Sequence, residues 1–301
     1  MPTNSWTNKR IKILVPTTLA GEDLRGPVSV SITATNGLSS YNGLTIQVLG
    51  RQTTGNVGRT AFTPRLAEVG PGKQFSTIQA AIQAAVPTRA QPFWLIVVWP
   101  NAQTSADPQG EYTQNVIVHH QVRIQGVGPG GFDSDGVFVR GSIIDGAGFN
   151  PDNPSGLAWV TLLGTLNHTG NQAVPDAAVV TVLDDPAVGN AVPRSYNTVL
   201  DGFAITGGAQ SDFAGNVNAI TGGIKTPYGA AGAPITHGGG NYVHAGVVAL
   251  QATDNIIRGN IGSFRGAVRF GTPPVGYNSI SRPLLSAQHT HHNGPPPLAI
   301  G

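Results

Sequence analysis

Short runs of Val, Ile and Leu, none longer than a strand, recur along this chain, and each is cut off by Gly, Pro, Asn or Asp. Gly (41 residues) and Pro (23) occupy about a fifth of its 301 positions. Inside a helix Gly costs about 1 kcal/mol and Pro about 3 kcal/mol relative to Ala, so a mostly helical fold is excluded. With 40% hydrophobic residues the chain is not generically disordered either. An all-β protein with many turns is the expectation. The chain has no Cys. That rules out a disulfide scaffold, a thiolate nucleophile and any cysteine-ligated zinc or iron–sulfur site.

Charge points to no partner. The net of +2 comes from 17 basic and 15 acidic residues, without a basic stripe or acidic tail. Nucleic-acid binding needs a clustered electrostatic footprint, so no nucleic-acid partner is expected. The longest apolar run, Phe93–Trp99, is strand-sized and far short of the roughly 18 residues of a membrane span. At the N-terminus Lys9, Arg10 and Lys12 precede only Ile13-Leu-Val15 before Pro16, too little for the h-region of a signal peptide.

Residues 1–50 read as a module of three strands, Arg10–Val15, Val28–Thr33 and Leu44–Leu49, with turns at Ala20-Gly21, Gly26-Pro27 and Asn36-Gly37. Trp6 with the run Ile11-Lys-Ile-Leu-Val-Pro16, Gly26-Pro-Val-Ser-Val-Ser-Ile-Thr33, Asn36-Gly37 resembles the second half of an IPT/TIG immunoglobulin-like domain, a partial β-sandwich, over about 45 residues. Residues 51–67, rich in Thr, Gly and Arg, read as a linker. In the segment after it, Ser76 is placed as an N-cap with Gln79 completing a capping box. Ile78, Ala81, Ile82 and Ala85 then fall on one face of a helix running from Ser76 to Ala85.

Strands follow at short intervals: Leu95–Trp99, Tyr112–Val118, Val122–Gly126, Ser142–Gly146, Trp159–Leu163, Ala178–Leu183 and Val199–Thr206. Loops are expected at 101–111, 147–157 and 227–241. Phrases recur: Leu200-Asp-Gly-Phe-Ala-Ile-Thr-Gly207 echoes Thr253-Asp-Asn-Ile-Ile-Arg-Gly-Asn260, and Gly222-Gly-Ile-Lys returns as Gly266-Ala-Val-Arg. The 44 residues between the last pair suit two solenoid coils of roughly 20–25 residues each. Stacked coils need an inward apolar residue at the same place in every turn, and an end coil left open exposes an unpaired edge. The amphipathic helix is expected to cover that end.

Phe75-Ser-Thr-Ile-Gln-Ala-Ala-Ile-Gln-Ala-Ala85, Trp94-Leu-Ile-Val-Val-Trp-Pro100, Gly110-Glu-Tyr-Thr-Gln-Asn-Val116, Val122-Arg-Ile-Gln-Gly-Val-Gly128 and Ile143-Ile-Asp-Gly146 together resemble the right-handed parallel β-helix, or pectin-lyase-like, superfamily. The resemblance covers about residues 65–301, and the β-helix domain is placed at 68–301. It implies an extracellular or cell-surface setting and polysaccharide ligands, but fixes no activity, because the fold hosts lyases, hydrolases, esterases and adhesins. The first module lacks its opening strands and the chain stops inside what reads as another coil. A piece of a longer secreted protein is therefore expected.

Catalytic candidates are weak. Hydrolysis of a polysaccharide needs an acid and a base across the scissile bond. Asp184-Asp185 resembles the aspartate pair of polygalacturonases, yet that family's Gly-His-Gly is missing, Arg-Ile-Lys occurs only at 10–12, and Pro186 favours a turn. Gly110-Glu-Tyr-Thr-Gln114 resembles the Gly-x-Tyr-x-Glu of pectin methylesterases with Gln114 in place of Glu, and their paired aspartates and later arginine have no counterparts. Pectate lyases use a carboxylate-bound calcium and a proton-abstracting arginine. Arg258, Arg265 and Arg269 with Asp254 are the candidates, although Asp254 and Asp201 read equally as corner residues. Asp133-Ser-Asp135-Gly136 opens like a calcium loop but lacks the distal Glu of an EF-hand. Calcium is thus the sole cofactor with any candidate ligands. His289-Thr-His-His292 and His119-His120 are read as loop and corner.

The absence of a convincing carboxylate pair favours a non-catalytic, monomeric protein, and the resemblance implies one that is secreted or at the cell surface and binds a glycan or serves as an adhesive stalk. A polysaccharide-degrading enzyme, pectate-lyase-like or a glycoside hydrolase, is the alternative, its site completed by coils beyond residue 301. A structural spacer is the third.

Overall fold

The chain forms two units, Met1–Thr63 and Pro64–Gly301. A computed structural model describes residues 5–7, 10–12, 15, 18–19, 22–23, 26–33, 35, 37, 43–49, 62–133, 135–146, 154–166, 178–183, 198–208, 239–243, 250–261 and 267–270.

The first unit is antiparallel throughout its described strands. β1 (Ser5–Thr7) pairs with β2 (Arg10–Lys12), β3 (Thr18–Leu19) with β4 (Glu22–Asp23), and β5 (Gly26–Val30) with β6 (Leu44–Val48). Along β5 the alternation read from the sequence is kept: Val28 and Val30 are half-buried, and Pro27 and Ser29 are exposed. Among the described residues these are three separate two-stranded sheets. β2 falls within the expected strand Arg10–Val15, whereas β1, β3 and β4 carry too little apolar alternation to be read from the sequence.

The second unit is mostly β with two described helices. It starts with β7 (Arg65–Val69), α1 (Ile78–Ala84), β8 (Trp94–Val98), β9 (Tyr112–Thr113), β10 (Val116–Val118) and β11 (Arg123–Gly126). A hairpin, β12 (Gly131–Phe132) and β13 (Phe138–Val139), is followed by β14 (Ser142–Asp145), α2 (Pro154–Thr165) and β15 (Val180–Val182). Then come β16 (Thr198–Asp201), β17 (Phe203–Thr206), β18 (Asn241–Val243), β19 (Leu250–Thr253), β20 (Ile256–Ile257) and β21 (Val268–Phe270). Apart from the hairpin, these strands make three parallel sheets, ordered β19-β16-β11-β8-β7, β20-β17-β14-β9 and β10-β15-β18-β21. From β8 onward the chain visits the three sheets in strict rotation, with the hairpin as an excursion.

Register turns this rotation into columns of like residues. Ala67, Ile96, Ile124, Leu200 and Ala252 lie side by side in the first sheet. Tyr112, Ile144, Ile205 and Ile257 do so in the second, and Val118, Val182 and Val243 in the third. All are buried, and all but Ala252 pack in one core cluster. At about 1.5–3 kcal/mol per buried Val, Leu or Ile side chain, the columns dominate the favourable side of folding.

Corners separate the sheets. The run 199–206, expected as one strand, breaks at Gly202 with φ +75°, a left-handed turn that a side chain resists. One step along the stack Asp254 takes the same place with φ +52°. The echo between 200–207 and 253–260 is therefore real but shifted by one residue, with Asp201 beside Thr253. The run 112–118 also breaks, into β9 and β10 of two different sheets.

Three expectations need correction. The residues 65–67 placed in the linker are strand β7, paired with β8. The run Trp159–Leu163, expected as a strand, lies within helix α2. Pro154 suits the first helical turn, and Trp159, Leu162, Leu163 and Leu166 recur at helical spacing, which a short apolar run conceals. The spacing between paired strands also exceeds the expected 20–25 residues: Val97 lies beside Gln125 and Gln125 beside Asp201, steps of 28 and 76 residues. The longer step reflects inserted segments, one of which carries α2. The phrase at 222–225 lies outside the described residues.

Candidate functional site

α1 is held by chemistry slightly different from the expected capping box. Thr77, not Ser76, is the N-cap, its Oγ1 accepting from Ala80 N at 3.2 Å. Gln79 is then free to bridge to β10: its Nε2 donates to Ile117 O at 3.1 Å and its Oε1 accepts from Ile117 N at 2.7 Å. Bonding to both backbone groups of one residue outdoes a local cap, because β10 is an edge strand there. The apolar face Ile78, Ala81, Ile82 and Ala85 is fully buried. On the other side of Ile117, α2 packs Trp159 and Leu163 against it with Ala178 and Leu183.

Between α1, the stretch 112–115 and α2 lies a cleft of about 480 Å³. Its polar wall comes from the carboxamides Gln79, Gln83, Asn101, Gln114 and Asn115 and the hydroxyls of Ser76, Thr77 and Thr113; its apolar wall includes Tyr112, Trp159 and Leu162. Among the described residues no charged side chain lines it. Several amides are fixed by backbone bonds: Asn101 Nδ2 donates to Glu111 O at 2.9 Å, and Asn115 Nδ2 to Ala178 O at 3.0 Å. Gln114 Oε1 accepts from Gln79 N at 3.4 Å, which ties the residue standing in the Gly-x-Tyr-x-Glu pattern to α1. Tyr112 turns inward and its hydroxyl donates to Trp99 O at 2.7 Å; burial pushes it up to about 12.

Beside the cleft stands a carboxylate group that the sequence did not disclose. Tyr112 and Ile144 point inward side by side, so their neighbours Glu111, Thr113 and Asp145 face outward, with Asp145 beside Thr113. Burial raises Glu111 to about 7, helped by a hydrogen bond with Asp145 and by the charges of Asp145 and Asp107. Asp107 braces the loop by accepting from Gly110 N at 2.9 Å and Glu111 N at 2.7 Å. The guanidinium of Arg140 donates to the carbonyls of Pro100 and Asn101. The signal that would have found the pair is the period-two alternation outward from Tyr112 and Ile144.

The residues singled out from sequence are scattered. Asp184, Asp185, Arg265 and His289–His292 lie outside the described residues. Asp254 is the half-buried corner residue noted above, and Arg258 is exposed just past β20. Arg269 is in β21, in a different sheet from β20, so the structure does not gather it with Arg258. Asp201 is buried and accepts from Thr253 Oγ1 at 2.8 Å. Asp133 and Asp135 are exposed in the β12–β13 turn, where Asp133 Oδ1 accepts from Asp135 N at 3.0 Å and Val137 N at 2.8 Å. Among the described residues no group of three His, Asp or Glu side chains is placed to hold a metal. His119 and His120 are buried with ring centroids 3.8 Å apart, and burial pushes His120 down to about 4. No described helix is long and apolar enough to cross a membrane.

No protein-family model and no curated protein matches the chain. Among solved structures, that of YbhC from Escherichia coli is similar over 75% of this chain and 58% of that one, with 19% identity and a TM-score of 0.29.

Proposed function

We propose that the second unit is a right-handed parallel β-helix of the pectin-lyase-like kind, capped by α1, in a secreted or cell-surface protein that binds carbohydrate without cleaving it. The first unit is proposed as a partial IPT/TIG-like module. The rotation of strands through three parallel sheets and the inward columns support the β-helix. The uncharged cleft carries the function. Sugars present hydroxyls that pair with carboxamides and apolar C–H faces that pack on aromatic and aliphatic walls, and both kinds of surface line the same 480 Å³.

The carboxylate pair favours a second reading, a glycoside hydrolase, because a carboxyl held near 7 suits a general acid. Its geometry argues against that role. Carboxyls that share a hydrogen bond lie about 3 Å apart, whereas those that flank a glycosidic bond stand roughly 5–5.5 Å or 6.5–9.5 Å apart. A glycan array together with assays for new reducing ends and for unsaturated uronides separates the readings. Saturable binding with neither product supports the adhesin. Products supporting hydrolysis or elimination replace it with the enzyme, and silence in all three leaves the spacer.

A further inference from the structure

Resting on that reading of the cleft, we infer that its ligand is a neutral oligosaccharide and that uronate-containing glycans are selected against. A site for uronates needs a cation or a fork of donors on the carboxylate, since a buried anion without one is costly. Among the described residues the lining offers Gln79, Gln83, Asn101, Gln114 and Asn115 and no Lys or Arg. Gln83 is exposed on α1, and neither its amide nor the Nε2 of Gln114 has a partner among the described residues, so both are available to ligand hydroxyls.

The flank adds repulsion. Asp145 lies beside the lining residue Thr113 on the neighbouring strand, and Glu111 precedes Thr113 by two residues on the same outward face. Strand spacing puts both carboxyls within about 7 Å of that wall, inside the screening length of roughly 8 Å at physiological salt. Asp107 adds a third acid, and Arg140 is the cation anchored on the same stretch, through the carbonyls of Pro100 and Asn101. Three acids against one base leave the flank negative. A neutral sugar is indifferent to that field, whereas a uronate is repelled by it.

The test is calorimetric titration at pH 8 with tetrasaccharides of glucose, galactose, mannose and xylose beside those of glucuronate and galacturonate, on the full chain and on Glu111→Gln and Gln83→Ala. At least one neutral tetrasaccharide is expected to bind at least ten-fold more tightly than either uronate. Gln83→Ala is expected to weaken that binding, with the circular dichroism of the wild type retained. Glu111→Gln is expected to leave neutral affinity within two-fold and to raise uronate affinity on the order of three-fold. Equal or tighter binding of a uronate by the wild type overturns the inference and leaves carbohydrate binding standing. Failure of every sugar to bind overturns both.

Discussion

The two units spend similar short strands in opposite ways. In β5 and β6 an antiparallel pair buries its Val and Ile only halfway, and Ile32, Leu44 and Leu49 remain exposed. In the second unit the described strands outside the β12–β13 hairpin pair in parallel and stack inward residues in columns, and Ile96, Ile124, Ile144 and Ile205 are 0–1% exposed. A strand of three or four residues is too weak to hold a fold by its own ladder. Stacking makes it sufficient, because every inward side chain is then covered from above, below and across the core. Local propensity is similar in both units, and the difference in burial comes from the pairing.

The largest test of that contrast is a matched truncation. Ile124→Ala, in the middle of a column, is expected to cost about 4 kcal/mol in chemical denaturation. Val28→Ala, on half-buried β5, is expected to cost under about 1 kcal/mol. Equal losses would erase the distinction. Next in size is Asn255, buried at the corner after Asp254, where Oδ1 accepts from Phe203 N at 2.9 Å and Nδ2 donates to Leu200 O at 2.8 Å. This one side chain fastens two successive turns of the stack. Asn255→Ala strands two buried backbone groups and is expected to cost about 3 kcal/mol, with hydrogen exchange rising at 200–203. If the loss is below about 1 kcal/mol, the corner is held by the columns alone.

Acid supplies a smaller and more selective probe. His120 is driven from its ordinary 6.5 to about 4 by burial, so the unfolded chain takes up its proton first. Stability from this group is therefore complete above pH 6.5 and is lost as pH falls towards 4, by up to about 3 kcal/mol. His120→Gln is expected to flatten thermal stability across that window. An unchanged slope would assign the acid sensitivity elsewhere.

Much of the second unit was legible before its structure. The Val and Ile runs, the glycine and asparagine corners and the amphipathic 78–85 segment are local signals, and the structure keeps them. What escaped depended on distant partners. Whether 159–163 is strand or helix turns on what covers Ile117. The cap at Thr77 and the bridge from Gln79 depend on an edge strand 38 residues away. The spacing between paired strands escapes a search for a fixed period because inserted segments vary it. The candidate site was the least legible part. Its amides come from several separate segments, and Glu111 and Asp145 meet only through the parallel register of β9 and β14. The motif-like residues drew attention instead, and Asp133, Asp201 and Asp254 have turn, ladder and corner places that explain their presence.

The most direct measurement is hydrogen–deuterium exchange of the full chain with and without the tightest-binding tetrasaccharide. Protection is expected to concentrate at 76–83, 112–115 and 158–162, the segments that line the cleft. Protection confined to strands away from the cleft, or to the first unit, would contradict the assignment of the cleft as the carbohydrate site.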